Sequence, residues 1–169
     1  MPMTRRTFLV AAVLATASLS GCGFQLRGSN GEANLPFKTI YLGAPEASPL
    51  GIELRRNIRA NPGTEIVNDP KLAEARLEIL SESREKVIQS LNSQGRIRQY
   101  TIYYKLTFRV RSNTEIDLLP PTEIVLKRDI SFNESQVLAK ESEETLLYRD
   151  MQSDLVQQLL RRMAAIKPS

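Results

Sequence analysis

The stretch Tyr100-Thr101-Ile102-Tyr103-Tyr104-Lys105-Leu106-Thr107-Phe108-Arg109-Val110-Arg111 decides the fold. Tyr100, Ile102, Tyr104, Leu106, Phe108 and Val110 fall on one side of an extended chain. Thr101, Tyr103, Lys105, Thr107, Arg109 and Arg111 fall on the other. Successive side chains of a strand point to opposite faces, so this period of two predicts a strand with one buried and one polar face. At about 3.3 Å per residue the strand spans roughly 40 Å, which is long for a small domain. Its apolar face needs a covering layer.

Working outward, Ala75, Leu77 and Ile79 alternate with Arg76, Glu78 and Leu80, the start of another strand. Its periodicity weakens toward Leu91, and Ser93-Gln94-Gly95 reads as a hairpin tip. Downstream, Ser112-Asn113 and Leu119-Pro120-Pro121 bracket a loop. Ile124, Leu126, Ile130 and Phe132 then alternate with charged residues in a third long strand, whose apolar face Arg128 interrupts. Thr39-Ile40-Tyr41-Leu42 is a short β-type run, and Glu65-Ile66-Val67 a briefer one before the Asn68-Asp69-Pro70 turn.

The covering layer is helical. Ser48-Pro49 offers an N-cap and a first-turn proline, and Leu50, Leu54 and Ile58 recur every four residues until Asn61-Pro62-Gly63. A second helix is predicted from about Ser142 to Ala165, with Leu147, Met151, Leu155, Leu159 and Met163 as its stripe and Val156 and Leu160 widening it. Glu141, Glu143 and Glu144 near its start and Arg161, Arg162 and Lys167 at its end suit the helix dipole. The expected class is α+β, a two-layer sandwich with two helices on one face of a mainly antiparallel four-stranded sheet.

Composition excludes much chemistry. Among 169 residues there is no His, no Trp and one Cys. No Ser-His-Asp triad, Cys-His pair, His-built zinc or haem site, Cys cluster or internal disulfide can be assembled. No phosphate-binding or dinucleotide-binding glycine motif is present. The Glu141, Glu143 and Glu144 cluster is read as helix-start electrostatics, not as an acid/base or metal site. The expectation is a non-enzyme without cofactor or metal. A carboxylate-based glycan hydrolase is the enzymatic alternative.

The one Cys sits at a telling place. Arg5 and Arg6 supply a positive start, Phe8 to Leu19 is uncharged and mostly apolar, and Leu19-Ser20-Gly21-Cys22 follows. The apolar run is too short to span a bilayer, which takes about 20 residues. In this order the features read as a lipoprotein export signal over residues 1–21. In lipobox chemistry the Cys22 thiol takes a diacylglycerol, the chain is cut before it, and the new amine is acylated. Several acyl chains anchor firmly where one alone does not. Gly23 rather than Asp as the second mature residue points to the outer membrane. Thr4-Arg5-Arg6-Thr7-Phe8-Leu9 also resembles a twin-arginine motif, although signal charge alone accounts for the two arginines.

Removal of the signal leaves 148 residues with 21 cations against 19 acids, a charge of +2. No nucleic-acid partner is expected of so balanced a chain. Residues 22–34, rich in Gly, Ser and Asn, read as a lipidated tether, and residues 35–169 as a single domain. Arg96 and Arg98, just past the hairpin tip and leading into Tyr100, Tyr103 and Tyr104, are candidates for binding anionic headgroups. The competing reading is a solvated sheet face, with Lys105, Arg109 and Arg111 in cross-strand pairs to Glu78 or Asp129.

Several segments together resemble the LPS-assembly lipoprotein family, LptE/RlpB. They are Leu19-Ser20-Gly21-Cys22-Gly23-Phe24-Gln25-Leu26-Arg27-Gly28, the Gln99-Tyr100 strand start, Val137-Leu138-Ala139-Lys140-Glu141-Ser142-Glu143-Glu144, and Met151 with Asp154-Leu155-Val156-Gln157-Gln158-Leu159-Leu160. The resemblance implies two helices on a four-stranded sheet. It also implies an outer-membrane lipoprotein, facing the periplasm and seated in the lumen of the LptD β-barrel. Such a protein helps the barrel assemble and binds lipopolysaccharide during its insertion into the outer leaflet. The family's lysine for lipopolysaccharide maps to Lys140. Its hairpin-tip arginine has no direct match, because Asn92 follows Leu91 and the loop is one residue longer; Arg96 or Arg98 stands as the substitute. A pilot lipoprotein for another envelope complex, such as a secretin, is the alternative.

Overall fold

The computed structural model describes residues 34–61 and 63–167. The export signal, Cys22 and all but the last residue of the tether lie outside the described residues. Glu32–Ser169 forms one compact unit.

In chain order the elements are β1 (Thr39–Gly43), α1 (Pro49–Arg59), β2 (Glu65–Ile66), β3 (Ala75–Leu91), β4 (Ile97–Ser112), β5 (Asp117–Ser131) and α2 (Val137–Ala164). The sheet order is β2-β1-β3-β4-β5. The class is the α+β arrangement expected, with a difference in the sheet. It has five strands instead of four, and β1 pairs in parallel with both β2 and β3. Parallel neighbours need a crossover, and α1 supplies it between β1 and β2. The remaining pairs, β3 with β4 and β4 with β5, are antiparallel.

The alternation in β4 is realised. Ile102, Tyr104, Leu106, Phe108 and Val110 are fully buried beneath the helices. Leu50, Leu54 and Ile58 of α1 and Met151, Leu155, Leu159 and Met163 of α2 complete a single core with them. Each such side chain contributes about 1.5–3 kcal/mol through its burial. The Ser48 side chain caps α1 by accepting from the Gly51 amide at 3.0 Å, which is typically worth about 1 kcal/mol.

β3 explains its own weak periodicity. Up to Ile79, opposite Phe108, the odd-numbered residues face the core. A register shift between Ile79 and Ser81 then inserts Leu80 as an extra residue. Beyond it Glu82, Arg84, Lys86 and Ile88 stand opposite Leu106, Tyr104, Ile102 and Tyr100, so the even-numbered residues now share the helix side. The polar ones are satisfied there. Tyr104 Oη donates to Glu82 Oε1 at 2.6 Å, and Arg84 donates to Gln152 Oε1 at 3.0 Å. Lys86 pairs with Glu144.

Two more boundaries differ from the sequence reading. Pro120-Pro121 lies inside β5 and not in a loop. β5 is an edge strand, where one amide facing away from the sheet is dispensable, and a register shift between Phe108 and Val110 of β4 leaves both prolines outside the ladder. α2 starts at Val137, before the expected Ser142, running on from a 3-10 turn at Glu134–Gln136. Its opening turns are largely exposed, Leu138 to 80%, so no apolar stripe announces them. Glu141, Glu143 and Glu144 consequently lie past the first turn, where the dipole effect has faded. Two of them serve as ion-pair partners instead: Glu143 for Lys140 and Glu144 for Lys86.

Candidate functional site at the hairpin end of the sheet

The β3–β4 connection is built around Asn92. Its side-chain oxygen accepts from the amides of Gln94 at 3.0 Å and Arg96 at 2.9 Å. Gly95 turns the chain at φ 76°, a conformation that costs a glycine little. Arg96 is thereby fixed at the start of β4. The β4–β5 register sets Gln99 opposite Ser131, and the Phe132 amide donates to the Arg98 carbonyl at 2.8 Å. Asn133 then caps the following turn, its side chain accepting from the Ser135 amide at 3.1 Å. That turn runs directly into α2 and delivers Lys140, whose ammonium donates to Ser131 Oγ at 3.0 Å and pairs with Glu143 at 2.8 Å.

Arg96, Arg98 and Lys140 are therefore brought to one end of the molecule. A cleft of about 410 Å³ is lined by Arg96, Arg98, Phe132, Asn133 and Glu134, among others. A neighbouring cleft of about 530 Å³ is lined by Arg98, Asp129, Ser131, Phe132, Asn133 and Lys140, among others. Arg98, Phe132 and Asn133 are common to both.

The three cations differ in how they are held. Arg96 faces Glu134 at 3.3 Å across an exposed pair, which contributes little and yields readily to a stronger anion. Lys140 is the most enclosed, tethered by Ser131 and Glu143. Arg98 is exposed and makes no side-chain hydrogen bond or ion pair among the described residues, which leaves its fork open to a bidentate anion. Apolar groups adjoin them. Tyr100 and Phe132 meet edge-to-face at 5.3 Å, the Lys86 ammonium lies 4.4 Å from the Tyr100 ring centroid, and Val137 and Leu138 are exposed one turn before Lys140.

The cations farther along β4 belong to a solvated face with cross-strand pairs. Arg109 bonds Glu78 at 2.7 Å, Lys105 bonds Glu85 at 2.8 Å and Arg111 bonds Asp117 at 3.1 Å. Hydrogen bonding to the Glu85 carboxylate raises the Lys105 pKa, whereas hydrogen bonding from Arg76 lowers that of Glu115. Asp129 takes a hydrogen bond from Thr101 at 2.7 Å instead of a cation. Asp154 pairs with Arg128, which accounts for the charge on the apolar face of β5.

The sequence places Phe132 on a strand without marking it as part of a site, and it gives Asn133 and Glu134 no role. An Asn ahead of Glu-Ser is an N-cap pattern that marks the turn. Among the described residues no cluster of three or more Asp, Glu or Cys side chains is placed to hold a metal, and no helix is long and apolar enough to cross a membrane.

The chain resembles proteins of one kind. The family model described as LptE, lipopolysaccharide-assembly, matches residues 37–163. The LPS-assembly lipoprotein LptE of Pectobacterium atrosepticum is 27% identical over 99% of this chain and 90% of its own length. That of Yersinia enterocolitica is 27% identical over 97% of this chain and 78% of its own. Among solved structures, the uncharacterized lipoprotein B from Nitrosomonas europaea superposes with a TM-score of 0.72 at 38% identity, covering 85% of this chain and 91% of its own. The rare lipoprotein B from Shewanella oneidensis gives a TM-score of 0.67 at 25% identity, over 75% and 94%. The chain belongs to the LptE family of lipopolysaccharide-assembly lipoproteins.

Proposed function

We propose that the protein is a non-enzymatic outer-membrane lipoprotein, acylated at Cys22, that sits in the lumen of the LptD β-barrel, aids its assembly and binds lipopolysaccharide at the Arg96, Arg98 and Lys140 end. The observation that carries the binding role is the convergence of these three cations on adjoining clefts. Lipopolysaccharide presents phosphates beside acyl chains. Guanidinium forks suit the phosphates, and the exposed Val137 and Leu138 beside Lys140 suit an amphiphile.

Family membership supports the assembly role, and the partner follows from the resemblance of the Lys140 segment and the Cys22 junction. The test is affinity purification of the tagged lipoprotein from solubilised outer membranes. The LptD barrel should co-purify in stoichiometric amount. Recovery of the lipoprotein without a barrel, or with a secretin instead, refutes the reading.

A further inference from the structure

Arg98 occupies an offset in the strand pairing. Gln99 stands opposite Ser90 and Ile97 opposite Leu91, so Arg98 between them has no partner in β3. It is the extra residue of a bulge in β4. Gln89 is the matching extra residue in β3, between Ile88 opposite Tyr100 and Ser90 opposite Gln99. The two offsets cancel, and the hairpin closes in phase beyond them, the Asn92 amide donating to the Arg96 carbonyl at 2.8 Å. On its other side Arg98 is fixed by β5, whose Phe132 amide donates to its carbonyl. A bulge re-aims a side chain. Here the backbone is held while the guanidinium stays exposed and borders both clefts.

Net charge alone recommends no ligand. The cations Arg96, Arg98 and Lys140 are matched by the acids Glu134, Asp129 and Glu143 around them. The pairing is uneven, however. Glu134 is taken by Arg96, Glu143 by Lys140, and Asp129 accepts from Thr101. Arg98 is the one of these three cations left with an unengaged fork among the described residues. An anion meets it without first displacing a carboxylate.

A guanidinium fork binds two oxygens of a carboxylate or of a phosphate in the same way. A phosphate monoester has a third oxygen and a charge of about −1.5 to −2, so it can engage a second cation at the same time. Arg96 lines the same cleft, and its exposed pair with Glu134 yields at little cost. Lys140 borders the second cleft, held by Ser131 and Glu143, and adds charge from there.

We infer that Arg98 is the residue by which this site tells a phosphate monoester from a carboxylate. Its fork takes two phosphate oxygens, and Arg96 leaves Glu134 for the third. This rests on the lipopolysaccharide binding proposed above and names the group of the ligand that is read.

The test is titration of the purified lipoprotein with native lipopolysaccharide and with lipopolysaccharide stripped chemically of its phosphates, which keeps acyl chains and carboxylates. Wild type should prefer the native form by at least about tenfold. Arg98→Lys keeps the charge and its salt dependence but not the fork, so the preference should fall to about threefold or less. Arg96→Lys still offers an ammonium to the third oxygen and should keep most of the preference. The Arg98 side chain is exposed and unpaired, so circular dichroism should not change in its variant. An Arg98→Lys variant with the wild-type preference, or an Arg96→Lys variant that loses it as fully, overturns the assignment. Wild type that binds both forms alike also overturns it, while leaving lipopolysaccharide binding in place. Wild type that binds neither form refutes the proposed binding role itself, and the assignment falls with it.

Discussion

Replacing Glu53 by Ala should loosen the seam between the two helices. Glu53 lies on α1 and is only 8% exposed. Its carboxylate accepts from Gln152 Nε2 at 2.7 Å and from Ser153 Oγ at 2.7 Å, both on α2. Arg56 lies within 3.5 Å of the same carboxylate. Gln152 is itself buried and reaches onward through Arg84 to β3. The substitution leaves the Gln152 amide without an acceptor, which costs about 1–3 kcal/mol, and removes a second charge-assisted bond of similar size. The expected loss is about 3 kcal/mol. With a urea dependence of about 2 kcal/mol per molar, the unfolding midpoint should fall by about 1.5 M. Glu53→Gln, which keeps the shape and one acceptor, should lose about 1 kcal/mol. The assay is equilibrium urea unfolding of the unlipidated domain followed by circular dichroism. An alanine variant within about 0.5 kcal/mol of wild type would refute this account of how the helices are joined.

Other outcomes follow from the same contacts. Burial, with help from the Glu82 carboxylate, pushes the Tyr104 hydroxyl up to about 12 from its usual 10.0. The folded protein therefore holds this proton more tightly than the unfolded chain. Its contribution to stability is whole below pH 10 and is lost as pH rises toward 12. Ultraviolet titration should show Tyr104 ionising last, and Tyr104→Phe should remove that final step; a last step that survives the substitution contradicts the assignment. Deleting Leu80 should close the bulge into a regular ladder, with Ser81 still opposite Thr107 and Glu82 and Arg84 still facing Tyr104 and Gln152, so urea melts should shift by no more than about 1 kcal/mol. A loss of several kcal/mol would contradict the reading of Leu80 as an extra residue outside the ladder. Cys22→Ala should leave the protein unprocessed or free of the membrane in fractionation, and firm membrane retention would refute lipidation at that residue.

What the sequence discloses depends on how local the cause is. The strict alternation of β4 and the four-residue stripe of α2 are properties of contiguous residues, and both are legible. The far half of β3 is not, because one extra residue at Leu80 inverts the pattern and the side chains below α2 are charged yet satisfied by partners distant in sequence. Pro120-Pro121 reads as a loop because the edge position and the register shift that together make those prolines harmless are properties of the sheet. The site divides in the same way. Arg96 and Arg98 are legible beside the Gly95 tip. Their meeting with Lys140 depends on the Gln99–Ser131 register and on the Asn133 turn, and only the fold shows it.

Lipopolysaccharide binding at the hairpin end, as proposed above, rests on Arg96, Arg98 and Lys140. The direct measurement is a lipopolysaccharide titration of the wild-type domain and of its Arg96→Glu, Lys140→Glu double variant, at low and at high salt. Wild type should bind saturably and more weakly in salt, and the double variant should lose at least about tenfold, or about 1.4 kcal/mol, with its fold intact. Equal, salt-insensitive binding by the two proteins would place the site elsewhere and contradict the claim.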